Sequence, residues 1–182
     1  MKTNSQRGFT MIELIVVIVI LGILASVALP RLTNMQRDAR IAKLNAARGA
    51  VAAAAALNHG SALARQGQGP IACAGIAGGG NVNVTAAGGG TVCTETGAVG
   101  VTNLYPTANA NTAAGGGIIF ASGLVAPGAL PATEQYAVAV AGGVLTLQVT
   151  GGSLAANCSF TYTPPAGLGA APTISTPTVT GC

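Results

Sequence analysis

Residues 9–29 form an apolar run broken by one charge, Glu13, and no other feature limits the fold of this chain so strongly. About 20 apolar residues are enough to cross a bilayer as a helix. Lys2 and Arg7 stand just before the run, so the positive-inside rule keeps the first residues in the cytoplasm and sends the rest outward. Three roles fit such a segment. A removable signal peptide would be cut at the small-residue "SVA" of residues 26–28 and leave Leu29 as the new N-terminus. The run is longer than an ordinary signal-peptide core, however, and it holds a carboxylate. A plain membrane anchor would carry Glu13 as a burden of about 3 kcal/mol at depth, less near the interface. In the third role the glutamate is functional, the default for an ionisable group inside a membrane.

The formal charge of +4 suggests an acidic partner until the charges are placed. All eight basic residues lie between Lys2 and Arg65, and residues 66–182 hold only Glu95 and Glu134. A nucleic-acid reader needs Lys and Arg spread over its folded face, so membrane topology explains the basic N-terminus better and no nucleic-acid site is expected in the distal part. Cys73, Cys93, Cys158 and Cys182 all follow the basic segment. An even count after an export signal points to disulfides in an oxidising compartment, with three pairings possible. Cys73 with Cys93 and Cys158 with Cys182 is favoured, because each pair closes a short local loop. A metal site is not expected: no CxxC pair occurs and His59 is the only histidine.

The stretch "RGFTMIELIVVIVILGILASVALP" resembles the signature of type IV prepilins and of their type II secretion relatives, the pseudopilins. The resemblance implies a leader of residues 1–8, cleavage between Gly8 and Phe9 by a prepilin peptidase, and N-methylation of Phe9. It makes Glu13 the fifth mature residue, where the family carries its glutamate, and places Gly22 and Pro30 at positions that are also typical. It implies assembly into a homopolymeric filament through Phe9, Glu13, Gly22 and Pro30, with Glu13 attracting the α-amino group of Phe9 on a neighbouring subunit. An assembly ATPase and an inner-membrane platform protein are the implied partners. The implied path runs from the inner membrane to a cell-surface pilus that serves adhesion, twitching motility or DNA uptake. Major pseudopilins usually carry a calcium site and lack such disulfides, so four cysteines and few head carboxylates favour a pilin over a pseudopilin, and a minor pilin stays open as the alternative to a major one.

The expected fold is α+β, with a long N-terminal helix packed on a small antiparallel sheet head and a disulfide-bounded C-terminal loop. The divisions are a leader at 1–8, an apolar helix at 9–30, the amphipathic half of the same helix at 31–60, a variable Gly-rich loop with short strands at 61–116, and the sheet with its disulfide loop at 117–182. Leu32, Met35, Ala39, Ala42, Ala46, Gly49 and Ala53 recur at spacings of three and four, which predicts the buried stripe. The helix is expected to close near Asn58, with Gly60 as its C-terminal cap. Pro30 and Gly22 weaken hydrogen bonding in its apolar half. Residues 118–125 read as one strand or two short ones. "QYAVAV" and "VLTLQV" flank "AGG" as a hairpin, and "CSFTYT" reads as a further strand ahead of Pro164.

Chemistry has few candidates. His59 is expected at the helix end, where a cation suits the dipole, and the acids are Glu13, Asp38, Glu95 and Glu134. Three Gly-Gly-Gly triplets lack the lysine and the strand–loop–helix context of a phosphate cradle. No acid, base and nucleophile set is visible, so a structural protein without cofactor or catalytic residues is the expectation.

Overall fold

The computed structural model describes residues 9–73, 81–94, 97–110, 116–124 and 136–182. The chain divides into two compact units, Met1–Ala39 and Arg40–Cys182.

Helix α1 (Met11–Arg65) supplies the regular structure of the first unit and opens the second. Its run is continuous through Gly22 and Pro30. In the second unit α1 does not stop at Gly60. Gly in a helix interior costs roughly 1 kcal/mol, and packing overrides that cost here. Ala62 is fully buried against Val82, Val84, Val92 and Val99, and the chain just past the helix docks on the same sheet, with Gly67 N donating to Val84 O at 2.8 Å. The buried stripe also differs from the expected one. Leu44, Ala47, Val51, Ala54 and Ala55 face the core, whereas Ala42, Ala46, Gly49 and Ala53 face solvent. With alanine on every side of the helix, periodicity alone could not pick a face; Leu44 and Val51, seven residues apart, decide it because they remove the most apolar area from water.

The segment expected as a variable loop with short strands pairs its strands into a five-stranded antiparallel meander of β1 (Ile71–Ala72), β2 (Asn81–Val84), β3 (Gly90–Thr94), β4 (Gly97–Thr102) and β5 (Tyr105–Pro106). Its valines build a core of their own with Ala62 and Leu104. Gly90 is at φ +136, and a Cβ there would run into the Asn83 carbonyl of the paired strand, so this glycine permits a pairing where composition suggested looseness. Helix α2 (Ile118–Ser122) takes the place of the expected strand at 118. Ile118 and Ile119 enter the first core and Phe120 the second. A strand would alternate sides, whereas a helical turn buries three consecutive apolar residues in two directions.

A second antiparallel meander follows, formed by β6 (Tyr136–Ala141), β7 (Val144–Val149), β8 (Ser159–Thr163) and β9 (Thr173–Ile174). The β6–β7 hairpin turns on Gly142 and Gly143 at φ +57 and +76, the left-handed pair that a two-residue hairpin turn requires. Leu145, Leu147 and Val149 point together into the core, where they meet Phe160, Tyr162 and the inner face of α1. The Tyr162 hydroxyl donates to Pro106 O at 2.7 Å and so ties this sheet's core to β5. Burial, with Tyr105 nearby, pushes the Tyr162 hydroxyl up from its ordinary value. A raised phenol favours the neutral form in the folded state. Its contribution is therefore complete below the unfolded value near 10 and lost as pH rises above it. Tyr162→Phe should lower stability at pH 7 by about 1 kcal/mol and flatten the alkaline limb. A pH series of chemical melts that stays equally steep above pH 10 in both proteins would contradict this.

The cations on α1 do more than decorate the surface. Arg40 Nη1 donates to Cys182 O at 2.8 Å and Arg48 Nε to Ser175 O at 3.0 Å. Lys43 Nζ lies 4.3 Å from the centre of the Tyr136 ring. The C-terminal segment is thus fastened along one side of the helix by side chains whose stems also cover apolar surface.

Candidate assembly site at the helix start

Phe9 is 91% exposed; Gly8, the other half of the expected cleavage junction, lies outside the described residues. Met11–Ala28 has a mean hydropathy of 2.9 and none of it is buried. Large side chains such as Ile12, Leu14, Val17 and Leu21 stand open to the surroundings. An apolar surface of this kind requires lipid or protein around it.

Glu13 is not an isolated charge. Thr10 N and Thr10 Oγ1 both donate to Glu13 Oε2, each at 2.9 Å. Glu13 N donates back to Thr10 Oγ1 at 3.4 Å. This is a capping box: the residue before the helix and the residue at its third position satisfy each other's otherwise orphaned groups. It also puts the carboxylate at the positive end of the helix dipole. Thr10 was legible in the sequence as Thr-x-x-Glu ahead of an apolar run, a signal overshadowed by the lone charge itself. Phe9 and Glu13 lie within about one turn of each other, whereas Gly22 and Pro30 lie farther along α1. Among the described residues nothing comes within 4 Å of where a Cβ on Gly22 would sit, so none of them demands a glycine there.

The cysteines belong to the second unit. Cys73 bonds to Cys93 and Cys158 to Cys182. The first bridge joins the segment after β1 to β3; both of its residues are half-buried beside the second core. The second bridge is buried in the first core.

His59 is inside α1, not at its end. Its Nδ1 lies 3.1 Å from Leu104 O, and since a carbonyl only accepts, Nδ1 carries the proton. The ring stacks on Tyr105 at 4.0 Å between centroids. The β4–β5 turn it holds has Asn103 and Leu104 at φ +50 and +68, a conformation that non-glycine residues rarely adopt. Leu104 N donates to Gly88 O at 2.7 Å and Asn103 Nδ2 to Pro165 O at 2.8 Å. Helix, first sheet and C-terminal segment therefore all grip this turn. His59→Ala should cost about 2 kcal/mol from the lost bond and stack, read as a lower thermal midpoint; an unchanged midpoint would mean that the turn is held by the other contacts alone. Glu95 and Glu134 lie outside the described residues. Among the described residues no group of three His, Cys, Asp or Glu side chains converges to hold a metal ion.

An apolar helix with an open N-terminal half, two antiparallel sheets, and a bridged C-terminal region are the marks of an α+β fold of pilin type. Residues 3–29 match the family model described as the prokaryotic N-terminal methylation motif, which is the type IV prepilin signature. No curated protein and no solved structure matches the chain.

Proposed function

We propose that this chain is the structural subunit of a type IV pilus, made as a membrane-anchored precursor, cut between Gly8 and Phe9 and methylated on Phe9. The observation that carries the proposal is the methylation-motif match over residues 3–29, on a helix whose stretch Met11–Ala28 is apolar and unburied. Subunits leave the bilayer and associate through that surface, so burial of side chains such as Ile12, Val16 and Leu21 supplies the main stabilisation. The carboxylate of Glu13 and the α-ammonium of Phe9 on another copy attract each other far more strongly in an apolar layer than in water, which sets register. The partners that follow from this are prepilin peptidase, an assembly ATPase and a platform protein. Surface attachment, twitching motility and DNA uptake are properties of the polymer. The work of the protein is packing, not a reaction.

The test is the intact mass and N-terminal sequence, without reduction, of protein sheared from cells. An abundant species that begins at methylated Phe9 and is four hydrogens lighter for two disulfides supports a major pilin. The same species confined to the cell envelope points to a minor pilin or pseudopilin. A chain that begins at Leu29 overturns the proposal.

A further inference from the structure

The last turn of α1 and the strands β2 and β3 bound a cleft of about 260 Å³. Among the described residues it is lined by Ser61, Ala64 and Arg65 from the helix and by Val82, Val92 and Cys93 from the strands. Val82 and Val92 are buried and give the cleft an apolar floor, while Ser61 and Arg65 stand exposed at its rim. Arg65 is the one charged side chain in that lining, and its guanidinium is held by no hydrogen bond or ion pair among the described residues. Cys93 presents its side of the first bridge to the cleft, whereas its partner Cys73 is not part of the lining.

Size, charge and sulfur together select an occupant. The volume is below the roughly 300 Å³ at which drug-sized sites begin, so the occupant is small. A free guanidinium recognises a carboxylate, which its paired N–H groups can hold at two oxygens. A disulfide sulfur reacts with a thiolate that can reach it. We propose that this cleft is a docking site for a small thiol that carries a carboxylate, and that Cys93 is the sulfur it modifies. The thiolate attacks Cys93 Sγ, a new S–S bond joins the small molecule to Cys93, and the bond between Cys73 and Cys93 breaks. The electron pair leaves on Cys73 Sγ, which takes a proton from water. The step reverses when the Cys73 thiolate attacks Cys93 Sγ and expels the small thiol.

The fold has room for this change. Ahead of Cys73, β1 pairs with β2 only at Ile71–Val82 and Ala72–Asn81, so opening the bridge loosens a short edge. The pairing of β3 with β4 runs over five residue pairs, from Gly90–Val101 to Thr94–Gly97, and keeps Cys93 in place. Cys158 and Cys182, at 0% and 6% exposure, offer a thiol no such approach. The inference does not depend on the filament function.

Simple exposure of the bridge is the alternative, and charge dependence and position of attack separate the two. The full chain in nonionic detergent at low salt is treated with mercaptoacetate, which is anionic, and with mercaptoethanol, which is neutral. Each thiol is compared with itself across the parent and the variants, so differences in nucleophilicity cancel. Arg65→Gln should slow mercaptoacetate by about threefold and Arg65→Glu by roughly tenfold, with mercaptoethanol unchanged in both. High salt should erase the difference. Early acid quenching and mass mapping should find mercaptoacetate on Cys93 and the free thiol on Cys73. Equal mercaptoacetate rates in parent and Arg65→Glu, equal slowing of both thiols, or an adduct on Cys73 would each overturn the proposal.

Discussion

Glu13→Val should insert into the membrane and be cut after Gly8 as the parent is, yet yield no filaments, or block assembly when expressed beside the parent. Valine removes the lone charge of the apolar run and makes the span more hydrophobic, so insertion gains if anything. What disappears is the acceptor proposed for a neighbour's ammonium group, together with the reciprocal half of the Thr10 capping box. Loss of the cap alone costs about 1 kcal/mol. Loss of a charge pair in a low-dielectric layer costs several times more when the ammonium is left buried without a partner. The comparison of Glu13→Val with Glu13→Gln is informative, because glutamine still accepts a bond from Thr10 but carries no charge. Sheared-fraction yields measured beside membrane content decide the matter: normal filaments from the valine variant would rule out the pairing.

The second large effect concerns the disulfides. The bridges span sequence separations of 20 and 24 residues, and loop closure on that scale stabilises by about 3 kcal/mol each. For a domain of this size that corresponds to a fall of roughly 10 °C in the thermal midpoint per bridge. Cys158→Ala with Cys182→Ala should be the more damaging pair, since those side chains are buried in the first core and cavity terms add to the entropic loss. The end of the C-terminal segment would then be held by the Arg40 and Arg48 bonds, the Ser159–Thr178 backbone pairing and the backbone bonds of Gly181 to Leu154 and Asn157, among others. Access should order the reduction, because thiol–disulfide exchange needs a path to sulfur. A mild reductant should open the half-buried Cys73–Cys93 bridge first and leave Cys158–Cys182 closed until the core loosens. Loss of both at one rate, followed by mass after alkylation, would show that the second core gives the first bridge no distinct environment.

Local chemistry in the sequence foretold more than periodicity did. Two glycines between alternating apolar runs announce a hairpin because only a left-handed pair of residues closes a two-residue turn with the right twist, and Gly142–Gly143 do so. The same turn at Asn103–Leu104 has no glycine and was invisible, since its strain is held by His59, Gly88 and Pro165 from distant parts of the chain. The Ala-rich part of α1 could be read as helix but not oriented. The Gly-rich stretch after it looked loose because glycine is permissive, whereas its valines and the close approach at Gly90 make it a sheet.

The apolar run, its flanking charges, Glu13 and the Gly–Phe junction are properties of consecutive residues. The sequence by itself therefore carried the methylation motif of residues 3–29 and a run long enough to cross a membrane, and on these the proposed processing point and assembly charge rest. The tertiary structure decided which face of α1 is buried, that the helix reaches Arg65, that residues 118–122 turn as a helix between two cores, and that His59 serves a turn 45 residues away. Each of those outcomes depends on which side chains, far apart in the chain, exclude water together. Burial energy depends on the area that a contact removes from water, and the partners in such contacts exist only once the chain has folded.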